Sequence, residues 1–285
     1  MQFARNVYRH FAERPRFQIL SDLHLEVGHQ YDTYQIPAHA PHLILAGDIG
    51  RLIDYEDYLA FLTRHIDRFQ FIYLVLGNHE FYGLTLGDGL ERAAKLEREK
   101  ALSNKVIVLH QRRHDIPQLG VIILGCTLWS SIPKEAEVVV AAKINDFKRI
   151  VGWSVQDHNA AHQLDLEWLI TQVNIARSQI KSRRIVVVTH HAPCIKGTSH
   201  PEHTSSDCNS AFATDLLDNG CWVGVNTWVF GHTHYSTAFL RNGIRVIANQ
   251  RGYVLNPKGE NALKKKQEKK KHRFDVRNVT TLRAW

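Results

Sequence analysis

Cysteine is scarce in this chain. Four thiols, Cys126, Cys194, Cys208 and Cys221, are spread over 285 residues with no CxxC spacing. That argues against a disulfide framework or a cysteine zinc knot and leaves reduced thiols on the surface or in the core. Long apolar runs are also missing: none approaches the roughly 18–20 residues that span a bilayer. No charged segment followed by an apolar one marks a secretory signal. No internal repeat recurs at a fixed period. Neither a GxSxG stretch nor a cysteine-based motif offers a protein nucleophile. The expectation is a soluble intracellular protein without a membrane partner, cytoplasmic or alternatively nuclear.

What is present begins with charge. The formal net charge is +8, which invites a nucleic-acid reading. The run "KKKQEKKKHR" at Lys264–Arg273 carries six lysines and one arginine against one glutamate, a net of +6, and leaves +2 for the rest. The basicity is therefore a local, self-repelling tract and not a basic face. It reads as a flexible loop at about 257–272. A nuclear signal or a polyanion contact is the alternative. The N-terminal stretch "MQFARNVYRHFAERPR" is arginine-rich but lacks serine. It reads as an extension over residues 1–15 and not as a mitochondrial leader. With 44% hydrophobic residues, the remaining 16–285 can build one domain with a sizeable core.

Short apolar runs predict strands at Phe17–Leu20, Leu43–Leu45, Phe71–Leu76, Val106–Leu109, Val121–Leu124, Ile185–Val188 and Trp228–Phe230. Tyr55, Tyr58, Leu59, Leu62, Ile66 and Phe69 recur at helical steps, as do Leu166, Leu169, Val173, Ala176 and Ile180. Strand, helix, strand with short links predicts βαβ units and a parallel sheet. Thr237–Leu240 and Ile244–Ala248 flank "RNG", a hairpin signal, and Phe274–Trp285 predicts a last strand returning to the body.

Five of the apolar runs end in a residue that can hold a metal: "FQILSDLHLE", "LILAGDIG", "YLVLGNHE", "VVVTHHAP" and "WVFGHTHY". Each motif alone has an ordinary explanation as a turn, a cap or a satisfied histidine. Together they bring Asp22, His24, Asp48, Asn78, His190, His232 and His234 to strand C-termini, where open α/β sheets bind ligands. Gly47, Gly77 and Gly231 would let the chain turn sharply there. Two carboxylates, four imidazoles and one amide are too many for one ion and suit two adjacent ions. Mixed oxygen and nitrogen donors without thiolate favour Mn, Fe, Zn or Ni.

The order DxH, GD, GNHE, THH, GHTH resembles the calcineurin-like metallophosphoesterase superfamily, from Phe17 to about Tyr253. The wider stretches "SDLHLE", "LVLGNHEFYG", "LGCTLWS" and "VTHHAP" resemble a subgroup common in fungal and bacterial genomes. The resemblance implies a four-layer α/β/β/α sandwich with a dinuclear site. By that likeness Asp22, His24, Asp48 and His234 would hold one ion, and Asp48, Asn78, His190 and His232 the other, with Asp48 bridging. His190 is preferred over His191 because it comes first off its strand.

Two cations roughly 3.5–4 Å apart clamp a phosphoryl oxygen and acidify a bridging water, whose hydroxide attacks phosphorus in line. His79 would face the substrate and give a proton to the leaving oxygen. Asn78, His191, Arg251, His200 and His203 are candidates for contacts to phosphate. Asp48 is followed by "IGRLIDY" and lacks the Asp-Arg-Gly segment of the Ser/Thr protein phosphatases. Arg51 stands where purple acid phosphatases carry a metal-binding tyrosine. The expectation is a phosphomonoesterase or phosphodiesterase acting on a small substrate. A nuclease or nucleotide-specific diesterase is the enzymatic alternative, and a non-catalytic scaffold the alternative of another kind. The loops at Gly83–Gly89, Ser130–Asp146 and Cys194–Asn209 would set specificity.

Overall fold

The computed structural model describes residues 14–179, 183–203, 206–255 and 273–282. The lysine-rich tract up to His272 and the N-terminal extension up to residue 13 lie outside the described residues.

Two sheets are stacked. The first runs β11-β1-β2-β3-β4, built from β1 (Arg16–Leu20), β2 (His42–Ala46), β3 (Phe71–Val75), β4 (Val106–Val108) and β11 (Val279–Thr281). Its first four strands are parallel, and β11 closes the edge antiparallel to β1. The second runs β5-β6-β7-β8-β10-β9. It is built from β5 (Arg112–Ile116), β6 (Val121–Cys126), β7 (Arg184–Thr189), β8 (Val225–Val229), β9 (Thr237–Arg241) and β10 (Ile244–Ala248). Here β6, β7, β8 and β10 are parallel, with antiparallel β5 and β9 at the edges.

Side-chain alternation divides the core into layers. Phe17, Ile19, Ile44, Tyr73 and Val75 face Ile123, Val186, Val188, Val229 and Ile247 between the sheets. Their neighbours Leu20, Leu43, Leu45, Ile72 and Leu74 point outward. There they meet Tyr58, Phe61 and Leu62 of α1 (Tyr55–His65) and Ala93 and Leu96 of α2 (Leu86–Glu97). On the far side, Ile122, Leu124, Val187, Trp228 and Val246 pack on Leu169, Val173 and Ala176 of α5 (Val155–Gln179). The result is a sandwich of two sheets flanked by helices. Every strand that carries a motif is buried on both faces, as parallel strands under two helical layers must be.

The segment 83–89, expected as a loop, starts a helix. Thr85 caps α2 by accepting from Asp88 N at 3.1 Å. Position 89 is glycine inside this helix because a Cβ there would stand 2.4 Å from the Phe81 ring. Segment 130–146 contains α3 (Glu137–Lys143) and the start of α4 (Asp146–Arg149). Strand β5 has no apolar run to announce it, because Arg112–Asp115 on this edge are half-buried or exposed.

The C-terminal ends of the two sheets are stitched together. Ser21 pairs with Gln250 in a parallel bridge, Arg251 N donates to Ser21 O, and Gly252 N donates to Asp22 O. This seam carries the functional cluster.

Candidate metal centre

The loop residues that leave the strands adopt left-handed backbone conformations. Asp22 has φ 53°, His24 47°, Asp48 53°, His232 73° and His234 53°. Such values are uncommon outside glycine and cost on the order of 1–3 kcal/mol each. They persist because neighbouring chains hold the loops. Asp22 N donates to Gly47 O, His24 N to Asp48 O, and Gly231 N to His190 O. Of the three motif glycines, only Gly47 is there for its conformation, with φ 88°. Gly77 and Gly231 answer to crowding: a Cβ on Gly77 would stand 2.2 Å from Asp48 Oδ1, and one on Gly231 2.7 Å from Ala46 O.

The seven expected ligands converge. Three groups bring donor atoms within 4.8 Å of one another: Asp22, His24 and His234; His24, Asp48 and His79; Asp48, His190 and His232. Asp48 belongs to two groups and reaches both sides, with Oδ2 3.8 Å from His24 Nε2 and Oδ1 3.3 Å from His190 Nε2. His24 Nε2 and His234 Nε2 face each other at 2.9 Å.

The main chain sets the tautomer of His190. Its Nδ1 donates to Ala46 O at 2.9 Å, which leaves Nε2 beside Asn78 Oδ1 at 3.0 Å. His191 lies behind it, buried against the rings of Trp129 and His232, with both ring nitrogens unpartnered in the described structure. It does not line the cleft. Arg251 is occupied elsewhere: its guanidinium donates to Leu23 O and Gln30 Oε1 and covers the Tyr34 ring. His203 lines the cleft, whereas His200 lies outside its lining.

Several supporting residues carry no separate signal in the sequence. Glu26 accepts from His79 Nδ1 at 2.7 Å and stands 3.5 Å from His24 Nδ1, so one carboxylate orients both imidazoles. Glu80 gathers the glycine loops: it accepts from Asp48 N, Ile49 N and Gly77 N, and from the Tyr58 hydroxyl. Asn78 Nδ2 donates to Asp146 Oδ1 at 2.7 Å, and Tyr82 donates to the same oxygen. That bond turns the Asn78 carbonyl toward His190. Glu26 and Glu80 lie inside the motifs "DLHLE" and "GNHE". Asp146 comes from a segment with no motif at all.

Electrostatics favour a cation here. Burial pushes the Asp22 carboxyl up to about 6, and the nearby Asp48 charge adds to it. Burial, then the charge of His24, pushes His234 down to about 3. Burial, then His190, holds His232 well below its ordinary value. Burial opposes charge on His190 too, but Asp48 outweighs it and raises the imidazole to about 10. Asp22 Oδ2 is buried without a partner. Opposed imidazole nitrogens, an orphaned carboxylate oxygen and like-charged carboxylates are relieved together by positive charge among them, so the donor set fits two divalent ions.

The cleft above measures about 510 Å³. Its walls come from the motif residues Asp48, Asn78, His79, His232 and His234 and from the segments 143–146, 199–203 and 206–212. The 83–89 segment does not reach it.

Comparison with known proteins agrees with this geometry. The chain is 26% identical over 261 residues to Uncharacterized protein L509 of Acanthamoeba polyphaga mimivirus, covering 82% of this chain and 90% of that protein. The crystal structure of Phosphopantetheinyl Hydrolase (PptH) from Mycobacterium tuberculosis superposes with a TM-score of 0.63 at 16% identity. It covers 84% of this chain and 90% of that one, a likeness of fold. The family model for the calcineurin-like phosphoesterases matches residues 15–236, and the chain belongs to that family.

Proposed function

We propose that the protein is a dinuclear-metal phosphoesterase that hydrolyses a small phosphomonoester or phosphodiester. The observation that carries this reading is Asp48, which shares one group with His24 and His79 and another with His190 and His232. Asp22, His24 and His234 would share Asp48 with Asn78, His190 and His232; Mn, Fe and Zn all suit these donors. When bound, such ions supply charge for the phosphoryl oxygens and lower the pKa of water.

The chain's own groups do the rest. Glu26 holds His79 at the cleft edge, Asp146 and Tyr82 hold Asn78, and the left-handed turns keep the donors convergent before substrate arrives. A cleft of about 510 Å³ suits a small ester. Among the described residues Lys143 is the one lysine or arginine on its wall, which does not favour the nuclease alternative. His79 and all seven ligand positions are filled, which does not favour a scaffold. Within the family, "SDLHLE" and "VTHHAP" support placing the chain in the fungal and bacterial subgroup.

The test is metal analysis of the purified protein, with phosphate and alcohol release measured over a panel of monoesters and diesters. Two ions and turnover of a small ester are expected. Full loading without turnover of any ester would defeat the enzymatic reading.

A further inference from the structure

We propose that the group delivering the proton to the leaving oxygen is the hydroxyl of Tyr253, with His79 acting through it. This rests on the phosphoesterase reading above and names a catalytic residue for it. Both residues line the cleft, but His79 is only 5% exposed whereas Tyr253 is 45% exposed. The Tyr253 hydroxyl stands 3.0 Å from His79 Nε2, and Glu26 Oε1 stands 2.7 Å from His79 Nδ1. Both ring nitrogens of His79 are therefore taken. Nε2 is engaged by the tyrosine hydroxyl, and Tyr253 is the most exposed member of the chain Glu26, His79, Tyr253.

The position of Tyr253 is built and not incidental. Gly252, at φ 72°, takes a left-handed conformation that a side chain rarely adopts, and donates its N–H to Asp22 O at 3.0 Å. The preceding Arg251 is tied to Leu23 O and Gln30 Oε1. The Tyr253 ring then packs on His24, with centroids 4.2 Å apart, and edge-on to His234 at 4.8 Å. A phenol placed this way lies against the ligand cluster in the wall of the cleft.

The step balances. As the bond from phosphorus to the leaving oxygen breaks with its electron pair on oxygen, the Tyr253 O–H proton passes to that oxygen. The Nε2–H proton of doubly protonated His79 passes to the phenol oxygen at the same time. Tyr253 ends neutral and His79 ends with one proton, on the nitrogen facing Glu26. The water consumed in hydrolysis returns the missing proton before the next turnover.

The experiment compares the metal-loaded wild type with Tyr253→Phe on phosphoesters whose leaving groups run from nitrophenol to simple alcohols. General acid catalysis contributes on the order of 10²–10⁴, and only where the leaving group is basic. Tyr253→Phe should lose about 100-fold or more on alkyl esters and little on nitrophenyl esters, with metal content unchanged. Adding His79→Ala to it should cost little further. Equal losses on both ester classes, or none, overturn the relay. If the phenylalanine variant does not fold, a fluorinated tyrosine at 253 carries the same test: its more acidic phenol should change the dependence on leaving-group basicity, and an unchanged dependence overturns the proposal. A second readout needs no turnover. In metal-free protein the His79 Nε2 nitrogen resonance should move in Tyr253→Phe, and an unmoved resonance also overturns it. A wild type that binds two ions yet cleaves no ester in the series would overturn the phosphoesterase reading itself, and the relay with it.

Discussion

His190 presents one ring nitrogen to Asp48 and Asn78 and gives the other to the main chain. Nε2 lies 3.3 Å from Asp48 Oδ1 and 3.0 Å from Asn78 Oδ1, while Nδ1 donates to Ala46 O. A backbone carbonyl from the first sheet therefore chooses the tautomer of a histidine from the second. The same relationship makes Asp48 the hinge of the whole cluster.

Asp48→Asn should lose more metal and more activity than any other ligand change. Outer-shell changes around metal sites cost about 10–100-fold in affinity. Removing a shared negative charge should exceed that on both ions. Elemental analysis with equilibrium dialysis measures it; full loading and near-normal turnover would show that Asp48 does not bridge.

Asp146→Ala should weaken metal binding about 10–100-fold with little change in the fold, because it frees the Asn78 amide to rotate away from His190. Metal titration of wild type and variant checks this. An unchanged affinity would mean that Asn78 is held well enough by Tyr82 alone.

Gly77→Ala should displace Asp48. The new Cβ would stand 2.2 Å from Asp48 Oδ1 and 2.8 Å from His190 Cε1, among atoms that have no room to retreat. Overpacking of this kind costs about 1–3 kcal/mol. A lower melting temperature and impaired metal uptake are expected together, and normal uptake would contradict the crowding argument.

His158 should make the fold sensitive to acid. Burial, then the charge of His162, pushes its imidazole down to about 3, and its Nε2 accepts from Ser130 N at 3.1 Å. A histidine depressed in the folded state contributes stability that is complete above its unfolded value near 6.5. That stability is lost as pH falls toward 3, at about 1.4 kcal/mol per pH unit. In urea titrations of metal-free protein at about pH 7.5 and pH 5, His158→Gln should lose less stability on acidification than wild type. Parallel losses would remove His158 as the cause.

His79→Ala should follow leaving-group basicity. The loss on alkyl esters should reach on the order of 10²–10⁴, and nitrophenyl esters should be nearly spared, with both ions retained. A uniform loss in kcat/KM on both would mean that His79 only orients the site.

Local sequence pattern was enough to locate the candidate metal ligands, because each lies within a few residues of an apolar run that has to be a buried strand. Asp22, Asp48, Asn78, His190 and His232 could be read from "QILSD", "LILAGD", "LVLGN", "VVVTH" and "WVFGH" without knowing how the strands pair. A parallel sheet brings strand C-termini to one edge, so the convergence followed from local pattern and chain direction. The strand at Arg112–Ile116 escaped because it has no apolar run, and the helix at Leu86–Glu97 because Gly87 and Gly89 in its first turn read as loop although Leu86, Leu90, Ala93 and Leu96 keep a helical period.

Tertiary structure alone decided the partners of those ligands. Asp146 reaches Asn78 across 68 residues, and Tyr253 reaches His79 across 174. Neither distance leaves a trace in local composition. It also removed Arg251 from the cleft, because Leu23 O, Gln30 and the Tyr34 ring claim the guanidinium first. The choice between His190 and His191 depended on which way each side chain leaves a turn whose two N–H groups both bind Thr127 O. Strand termini are set by short-range periodicity. Side-chain direction and second partners depend on chain segments that meet only when the two sheets are stacked.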